Sequence, residues 1–513
     1  MEEFDVAIVG AGFGGLGAAV ALADSGARVV LLEQLRYAGG CASTFVRGGA
    51  RYESGATLFS GFGEGQLFRK WIDELELDAR FEAHDPLVTL RTPNFSFAAA
   101  PERATFIERI VALEGVPAKQ TRAFFAEQEA IANVLWGLFN APELLPPFSA
   151  RMVLSHLRRL PLYLPVLRYV GKPLRAVLER HGLSGVEPLE AYLNAVCQIT
   201  VQCGIDEVEA PFALGAMDYY FRGTGHVHGG IGEFAGAVVE ALAKRGVDVR
   251  YSTAVKSLNP EGNAWRLHTR RGELRARNVV ANLTPHALQR LRGFEANDVP
   301  KRLRALNERV EGGWGAAMLY RRLRADAPLS PHAHHLELVA DPSAPYQDGN
   351  HVFCSVSGAS EQRTKNGERT LTVSTHVDAH TLRSDADAAA TVEGVQQRMR
   401  ATIAMLAPEL DDAMTHEMTG SPRTFQRFTG RDHGFVGGIP RRAGLSAYRG
   451  LFAGAIEPGL HLVGDSVFPG QSTLATALGG GRVAARVLAD FGAPKRLPKP
   501  PSRPALPVGE AAE

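Results

Sequence analysis

A glycine-rich segment near the N-terminus has the spacing of a phosphate-binding turn. Residues 10–15 (GAGFGG) follow an apolar run at residues 6–9 and precede an alanine-rich stretch of helical character that ends at Asp24. Gly10 permits a sharp turn after the strand, Gly12 lets the backbone approach a pyrophosphate, and Gly15 lets the helix lie close to the strand. The N–H groups and positive dipole end of the helix N-terminus favour phosphate oxygens. This segment therefore predicts dinucleotide binding.

An acidic residue completes the pattern. The next apolar run, at residues 29–32, ends on Glu33, which follows the glycines at close to the expected spacing of about 20 residues. A carboxylate there accepts hydrogen bonds from ribose hydroxyls and repels a 2′-phosphate, so NADP is disfavoured. Strand, glycine turn, helix, strand and acid together predict a Rossmann-like βαβ unit at the start of the chain.

Composition excludes several classes of protein. The chain has 513 residues, 45% hydrophobic and 22% charged, with a net charge of +1. These values are typical of a globular protein of two or more domains, and the near-zero charge argues against a nucleic-acid partner. The cysteines form no CxxC pair, so neither a disulfide framework nor a metal site is predicted. They are Cys41, Cys197, Cys203 and Cys354.

The N-terminus has no signal-peptide pattern, and no uncharged apolar run approaches the length of a transmembrane helix. We therefore expect a cytoplasmic protein. It either stays in solution or binds peripherally to the inner face of the cytoplasmic membrane.

A long apolar and basic tract at residues 130–181 bears on that choice. Helical periodicity dominates this region, and Pro161 and Pro165 predict that the tract is broken into short pieces. Its interleaved basic residues are Arg158, Arg159, Arg168, Lys172 and Arg175. The tract is either an interfacial surface that enters a bilayer or an ordinary lid of packed helices with a solvated basic face.

The pattern of the first domain returns twice later in the chain. Residues 229–232 (GGIG) open a predicted helix that is followed by strands, and residues 461–463 form a predicted strand that ends at Gly464 and Asp465. Between these segments, residues 314–323, 351–358 and 369–377 predict strands, and residues 391–410 predict a helix that stops near Pro408.

The predicted fold class is α/β, with a Rossmann-like domain assembled from discontinuous segments and an inserted α+β substrate domain. The first domain comprises residues 1–63, 223–290 and 441–492, and the second comprises residues 64–222 and 291–440. The proline-rich segment 493–513 has few large apolar residues and is predicted to be disordered.

Several motifs resemble one protein family along most of the chain. GGCASTF at 39–45, GARYESGAT at 49–57, RTFQRFTGRDHGFVGGIP at 423–440 and VGDSVFPGQ at 463–471 resemble the FAD-dependent phytoene desaturase superfamily. Within it they look like the branch of carotenoid C-3′,4′ desaturases and carotenoid cis–trans isomerases. The resemblance implies an amine-oxidase-like fold and a non-covalent FAD.

The resemblance also implies contacts between particular residues and FAD. The pyrophosphate would contact Gly10, Gly12, Gly14 and Gly15, and the ribose would contact Glu33. Val255 would lie near the adenine, and Gly55 and Ala56 near the isoalloxazine ring. Gly39 and Gly40 would form a second turn against the cofactor, and the turn at Gly464 and Asp465 would contact the ribityl chain or a phosphate. Cys41 stands where many relatives carry arginine. We interpret it as a small packing residue rather than a covalent flavin link.

The implied reaction introduces C=C bonds into a long apolar polyene or isoprenoid by hydride transfer to flavin N5. Three alternatives stay open. They are redox-neutral cis–trans isomerisation with reduced FAD, a retinol-saturase-like reduction, and prenyl binding without flavin chemistry, as in Rab GDP-dissociation inhibitors. The electron acceptor is not indicated by the sequence.

The polyene delocalises the developing cation, so the reaction does not strictly require a strong base. The sequence accordingly offers few candidates for a proton-transfer step. His226 and His228 lie in a glycine-rich loop, and Arg431 and Asp432 lie in one of the resemblance motifs. His228, Arg431 and Asp432 are the predicted catalytic residues, with a structural role as the alternative for each. The histidines of residues 332–335 (HAHH) are expected in a solvated loop without a metal.

Overall fold

Two large β-sheets and the helices around them form the molecule. The computed structural model describes residues 1–55, 57–141, 144, 150–384, 386–452 and 454–491. Its strands are β1 (Glu2–Val9), β2 (Val29–Leu32), β3 (Thr44–Arg47), β4 (Ala50–Glu53), β5 (Phe81–Glu82), β6 (Val88–Arg91), β7 (Ser96–Ala99), β8 (His226–Val227), β9 (Asp248–Arg250), β10 (Val255–Glu261), β11 (Ala264–Thr269), β12 (Gly272–Asn282), β13 (Trp314–Leu323), β14 (His334–Val339), β15 (His351–Val356), β16 (Arg369–Asp378), β17 (Met414–Gly420) and β18 (Leu460–Val463). Its helices are α1 (Phe13–Ala23), α2 (Leu67–Leu75), α3 (Arg103–Val111), α4 (Ala118–Phe139), α5 (Ala150–Leu167), α6 (Arg175–His181), α7 (Glu187–Val201), α8 (Ala210–Met217), α9 (Ile231–Lys244), α10 (Pro285–Arg292), α11 (Lys301–Val310), α12 (Ala379–Ser384), α13 (Ala388–Leu406), α14 (Pro408–Asp412), α15 (Pro422–Thr429) and α16 (Thr473–Asp490).

The first sheet contains the N-terminal strand in its interior. Its order is β10–β11–β12–β1–β2–β9, with β18 also paired to β12. β1 runs parallel to β2 and to β12, and β12 runs parallel to β18. Val6 and Ile8 pack among the residues of α1, α9 and α16, whereas Ala7 and Val9 pack on the side of α10 and α11. Helices thus cover both faces, which explains the continuous apolar run and confirms the predicted βαβ unit.

The second sheet has the order β17–β13–β16–β15–β14–β6–β7. Its neighbouring strands are antiparallel except for the parallel pair β14 and β6. Successive side chains point to opposite faces. Ala317 and Leu319 of β13 therefore pack towards α13, whereas Ala316 and Met318 face a cavity on the other side. The strands predicted within residues 314–377 are confirmed.

Part of the histidine-rich segment belongs to this sheet. β14 begins at His334, and His335 is buried. Burial and the neighbouring His226 lower the pKa of His335 well below its ordinary value. The expectation of a solvated loop is wrong for these two residues, because β14 pairs with β15 and β6. Among the described residues, no group of three or more His, Cys, Asp or Glu side chains is placed to hold a metal ion.

Helix α5 corrects a second expectation. It runs from Ala150 to Leu167 with Pro161 and Pro165 inside it, so the prediction that these prolines break the tract is wrong here. A proline removes one N–H donor and leaves the carbonyl four residues earlier unpaired. Pro161 does this to Leu157, whose side chain is exposed. At such a surface position, water can satisfy the freed carbonyl.

The two sheets are built from different segments of the chain. Strands of the first sheet lie within residues 1–63, 223–290 and 441–492, and those of the second within residues 64–222 and 291–440. We propose this division as the domain structure. The hairpin of β3 and β4 connects the two parts, since Thr372 Oγ1 donates to the Glu53 carbonyl at 3.2 Å. The predicted tail, 493–513, lies outside the described residues.

Candidate active site

A cavity of about 1150 Å³ is lined by residues of both sheets and of the helices beside them. Most of the predicted cofactor residues line it, namely Gly10, Gly12, Gly14, Glu33, Gly39, Gly40, Gly55, Val255, Gly464 and Asp465. They come from both ends of the chain and from its middle, and the fold brings them together. Ala56, also predicted, lies outside the described residues.

The start of α1 offers hydrogen-bond donors to this cavity. α1 begins at Phe13 after the N-cap Gly12, and no side chain caps it. Its first-turn N–H groups therefore have no partner within the helix and can bind an anion. A Cβ at Gly12 would lie 2.7 Å from Nδ2 of Asn282, which is too close for a side chain. The space and the donor set fit the pyrophosphate of FAD.

Gly15 has a different position from the other glycines of this turn. It is not among the described residues that line the cavity. A Cβ at Gly15 would overlap the carbonyl oxygen of Gly10, so this glycine lets α1 lie against the end of β1. This is the packing role that the glycine spacing predicts. A phosphate contact at Gly15 stays a prediction.

The carboxylate of Glu33 closes the other side of the glycine turn. Oε2 accepts the Ala11 N–H at 2.8 Å, and Oε1 accepts the Leu35 N–H at 2.8 Å. Burial raises the pKa of Glu33 although these two hydrogen bonds oppose the change. Each oxygen keeps a further lone pair. Glu33 can therefore accept hydrogen bonds from a ribose while it holds two backbone segments together.

The first and last glycine turns are in contact. A Cβ at Gly14 would lie 3.0 Å from the backbone nitrogen of Gly464. Helices α1 and α16 also approach closely, because a Cβ at Gly480 would overlap the Gly14 carbonyl and a Cβ at Gly17 would overlap the Ala477 carbonyl. Glycine is needed where backbones approach this closely. The cofactor wall is thus built jointly by the two ends of the chain.

Asp465 and Arg431 form a partly buried ion pair in the cavity wall. Nη2 of Arg431 lies 2.5 Å from Oδ2 of Asp465, and Nη1 donates to the Phe435 carbonyl at 2.9 Å. Burial opposes the charge of Arg431, but Asp465 and Cys41 raise the pKa of this guanidinium above its ordinary value. The cation is therefore kept beside Cys41, next to the second glycine turn at residues 39–40.

The other two predicted catalytic residues lie elsewhere. Nε2 of His228 is 3.5 Å from Oγ of Ser360, and Asp432 forms an ion pair with Arg290. Neither His228 nor Asp432 is among the described residues that line the cavity, whereas Arg431 and Arg290 are. These positions give no support to a proton-transfer role for His228 or Asp432.

Asn282 is a site residue that the motifs did not indicate. It ends β12, next to β1, and its side-chain atoms are the ones that a Cβ at Gly12 or Gly14 would meet. The signal was present in the sequence, because the apolar run before Asn282 predicts a buried strand. Carboxyl ends of parallel strands meet at one edge of a sheet, and that edge is where ligands bind.

The rest of the cavity is mainly apolar. Its apolar lining includes Val134, Leu135, Leu138 and Phe139 of α4, Val166 and Leu167 of α5, Phe212 of α8, Met318 and Phe353 of the second sheet, and Ile439 and Leu445. Leu167 and Leu445 also have large exposed fractions, 52% and 73%. They therefore mark a place where the cavity reaches the surface.

A few polar side chains interrupt this wall. The amide of Gln202 donates to the Val436 carbonyl at 2.9 Å, and that of Gln471 donates to the Ile199 carbonyl. Within the described part of the chain, Oε1 of each glutamine has no partner. Arg441 also lines the cavity.

Comparisons with known proteins agree with this geometry. The family model described as flavin containing amine oxidoreductase matches residues 13–489. Prolycopene isomerase 1, chloroplastic, of an Oncidium hybrid cultivar is 26% identical over 97% of this chain and 86% of its own length. Human all-trans-retinol 13,14-reductase is 27% identical over 53% of this chain and 45% of its own length. The crystal structure of an oxidoreductase from Methanosarcina mazei has a TM-score of 0.61 at 17% identity and covers 94% of this chain and 100% of that one.

These similarities bear on the expectations from the sequence. The resemblance to the carotenoid desaturase and isomerase branch is confirmed by the isomerase relatives. The Rossmann-like, amine-oxidase-like fold and FAD as the cofactor are confirmed by the family match and the shared architecture. In the described part of the chain, there is no helix with both the length and the apolar character needed to cross a bilayer.

Proposed function

Because the chain belongs to the flavin containing amine oxidoreductase family, and is an FAD-dependent oxidoreductase, we propose that its substrate is a long polyene or other isoprenoid chain. One observation carries this proposal. The cavity extends from the glycine turns along the apolar side chains of α4, α5 and the second sheet. Burial of apolar surface is worth about 25 cal/mol per Å², so such a wall favours a long hydrocarbon chain over a small polar substrate.

Cis–trans isomerisation of a polyene is the reaction that the similarities favour. The prolycopene isomerase relatives align over nearly the whole chain. Reduction of a C=C bond is the second candidate, because the retinol 13,14-reductase relatives align over about half of it. Desaturation, the reaction predicted first from the motifs, remains the third. All three place a polyene against the same flavin.

The residues of the chain have simple tasks in each of these reactions. FAD, when bound, supplies hydride transfer at its ring, which the protein side chains lack. The glycine turns and Glu33 hold the cofactor, Arg431 keeps a positive charge at the cavity wall, and the apolar wall holds the substrate and excludes water.

The mass of the product distinguishes the three reactions. Purified holoenzyme would be incubated without oxygen with a poly-cis carotenoid, once with oxidised flavin and once with flavin reduced beforehand. We expect no change in mass and a shifted chromatographic retention with reduced flavin. A gain of two hydrogens would identify a reductase, and a loss of two hydrogens with oxidised flavin would identify a desaturase.

The same preparation tests the non-enzymatic alternative. A prenyl-binding protein would be colourless and would release no flavin on denaturation. The family match and the intact glycine cradle predict instead a yellow protein with one FAD per chain. A colourless protein that binds prenylated peptides would contradict the proposal.

We further propose that α5 contacts a membrane from which an apolar substrate enters. One face of α5 lines the cavity through His156, Tyr163, Val166 and Leu167. Its outer side chains Val153, Leu154, Leu157, Leu160, Leu162 and Leu164 are each between 47% and 61% exposed. α5 contains Arg158 and Arg159 and no acidic residue, so its charge complements an anionic lipid surface. This exposed apolar and basic surface favours the interpretation of the tract as an interfacial surface over that of a solvated lid.

A further inference from the structure

Arg441 is a buried cation in the cavity wall. It is 6% exposed, lines the cavity and lies over the ring of Phe212 at 5.1 Å. Nη2 donates to the Pro469 carbonyl at 2.8 Å, and this is the one hydrogen bond that its side chain makes to the described residues. Arginine carries five N–H donors. Most of them therefore have no partner among the described residues.

No carboxylate of the described residues lies within ion-pair distance of Arg441. Glu209 is joined to Arg441 through the backbone, because the Glu209 N–H donates to the Arg441 carbonyl. The Glu209 carboxylate already accepts hydrogen bonds from Gly171, Gly444 and Tyr448. None of these hydrogen bonds involves the guanidinium of Arg441, whose hydrogen bond goes to Pro469.

The charged neighbours of Arg441 make its position less favourable. Burial lowers the pKa of Arg441 to about 10, and Arg309 adds to this effect. Burial and then Arg449 lower the pKa of Arg309 as well. Neither Arg309 nor Arg449 has an ion-pair partner in the described part of the chain. These three arginines lead from the surface, where Arg449 is exposed, to the cavity wall.

An uncompensated buried charge is costly, and a protein that retains one usually uses it. Arg302 is also held without an acidic partner among the described residues, but it does not line the cavity. Arg442, the sequence neighbour of Arg441, is exposed and pairs with Glu207. Arg441 thus differs from both, because it combines burial, the absence of a described acidic partner and access to the cavity.

We propose that Arg441 binds a carboxylate at one end of the apolar chain that occupies the cavity. Among long isoprenoids and polyenes, those that end in an acid should then bind more tightly than pure hydrocarbons such as a poly-cis carotenoid. This inference rests on the proposed function and narrows it. A guanidinium matches a carboxylate with two parallel hydrogen bonds. The surrounding apolar side chains strengthen the attraction, because they keep out water.

Binding of two matched ligands tests this assignment. The probes are geranylgeranoic acid and its methyl ester, which share one chain and differ in charge. Their affinities would be measured at pH 8 on holoenzyme by quenching of tryptophan fluorescence, since Trp136 lines the cavity. We expect the acid to bind at least about 10-fold more tightly than the ester. Arg441→Met should abolish this preference, and Arg441→Lys should restore part of it.

Two control substitutions accompany this measurement. Arg442→Met should leave the preference unchanged. Arg309→Met, which leaves the cavity wall intact, should reduce the preference by about 3-fold and serves if Arg441→Met does not fold. Equal affinity for acid and ester in the wild type, or a preference that survives in Arg441→Met, would overturn the assignment. If the acid preference is absent but the holoenzyme binds the ester and retains its flavin, the assignment of Arg441 fails and the proposed function is unaffected.

Two other sources of an anion give distinct results. If Arg441 contacts a phosphate of the cofactor, Arg441→Met lowers the affinity for FAD. If it contacts lipid headgroups, the variant loses binding to vesicles of phosphatidylglycerol and keeps the preference for the acid. Either result would overturn the assignment. We expect unchanged FAD affinity and unchanged vesicle binding.

Discussion

The cavity has two halves that are built in different ways. At the flavin side, backbone atoms of the glycine turns carry the binding, and side chains are excluded by close approaches such as that of Gly14 to Gly464. At the substrate side, apolar side chains of α4, α5 and the second sheet line the cavity. The first half depends on the absence of side chains, and the second depends on their size and chemistry.

This difference predicts different responses to substitution. A single added Cβ disrupts the flavin side, because the backbone there cannot move without separating α1 from α16. Apolar side chains on the substrate side can be exchanged for others of similar volume at small cost. Buried polar groups are the sensitive points of the substrate side, since each depends on one or two partners.

The largest effect is expected from Gly12→Asp. The new side chain would meet Asn282 and place a negative charge where the pyrophosphate binds. We expect at least a 1,000-fold loss of FAD affinity, on the order of 4 kcal/mol, and a colourless purified protein. Gly236→Asp is the matched control, because a Cβ at Gly236 has nothing within 4 Å. A yellow Gly12→Asp protein would show that the glycine cradle does not hold FAD.

The next effect concerns Glu337, a buried acid behind the substrate side. It accepts a hydrogen bond from Tyr220, which lines the cavity, at 3.3 Å. Burial raises the pKa of Glu337 to about 8. The folded state therefore keeps a proton that the unfolded chain releases near pH 4.5. Stability from this group is present below about pH 4.5 and is lost as the pH rises towards 8.

Glu337→Gln should remove this dependence. We expect the free energy of unfolding of the variant to exceed that of the wild type by about 2 to 4 kcal/mol at pH 8 and to match it near pH 5. Urea unfolding at both pH values measures the difference. Glu114→Gln, at an exposed position, should leave the wild-type slope unchanged. Parallel pH profiles for wild type and Glu337→Gln would mean that Glu337 is ionised in the folded protein.

The third prediction tests whether the outer face of α5 contacts a membrane. Replacement of Leu157, Leu160 and Leu164 by glutamine removes apolar area that a bilayer would bury. We expect about a 10- to 100-fold weaker co-sedimentation with vesicles that contain phosphatidylglycerol. Arg158→Glu with Arg159→Glu should weaken binding to these vesicles but not to neutral ones.

The control for this prediction removes apolar surface elsewhere. Val46, Met405 and Met414 are exposed and lie outside α5. Their replacement by glutamine should leave vesicle binding unchanged. If both triple variants and the wild type sediment equally with vesicles, α5 does not contact the membrane and is a solvated lid.

The smallest effect is expected from Glu33→Gln. The amide keeps one acceptor oxygen, so one of the hydrogen bonds from Ala11 and Leu35 is retained and the other is lost. We expect FAD affinity to fall about 10-fold, because the ribose would lose a hydrogen bond to a charged carboxylate. Such a bond is worth roughly 1.5 to 3 kcal/mol. Titration of the apoprotein followed by flavin fluorescence measures the change. Glu2→Gln, in the exposed part of β1, is the matched control. An unchanged affinity would mean that the ribose does not contact residue 33.

The positions that sequence reasoning found share a physical property. Gly10, Gly12 and Gly14 are required by a local backbone geometry, and Glu33 is placed by the length of one βαβ unit. The strands within residues 314–377 follow from local alternation. The two prolines of α5 were misjudged, because their effect depends on whether the freed carbonyl is buried or exposed.

The sequence by itself determined the cofactor turn, the parallel strands around it and the apolar character of the remaining chain, because each depends on short-range spacing. Only the tertiary structure decided that Gly464 meets Gly14, that Asn282 ends beside the glycine turn, and that Arg441 is left without an acidic partner among the described residues. These facts depend on which distant segments pack together. Burial and the identity of neighbours, which set the energy of a charge, exist only after the chain has folded.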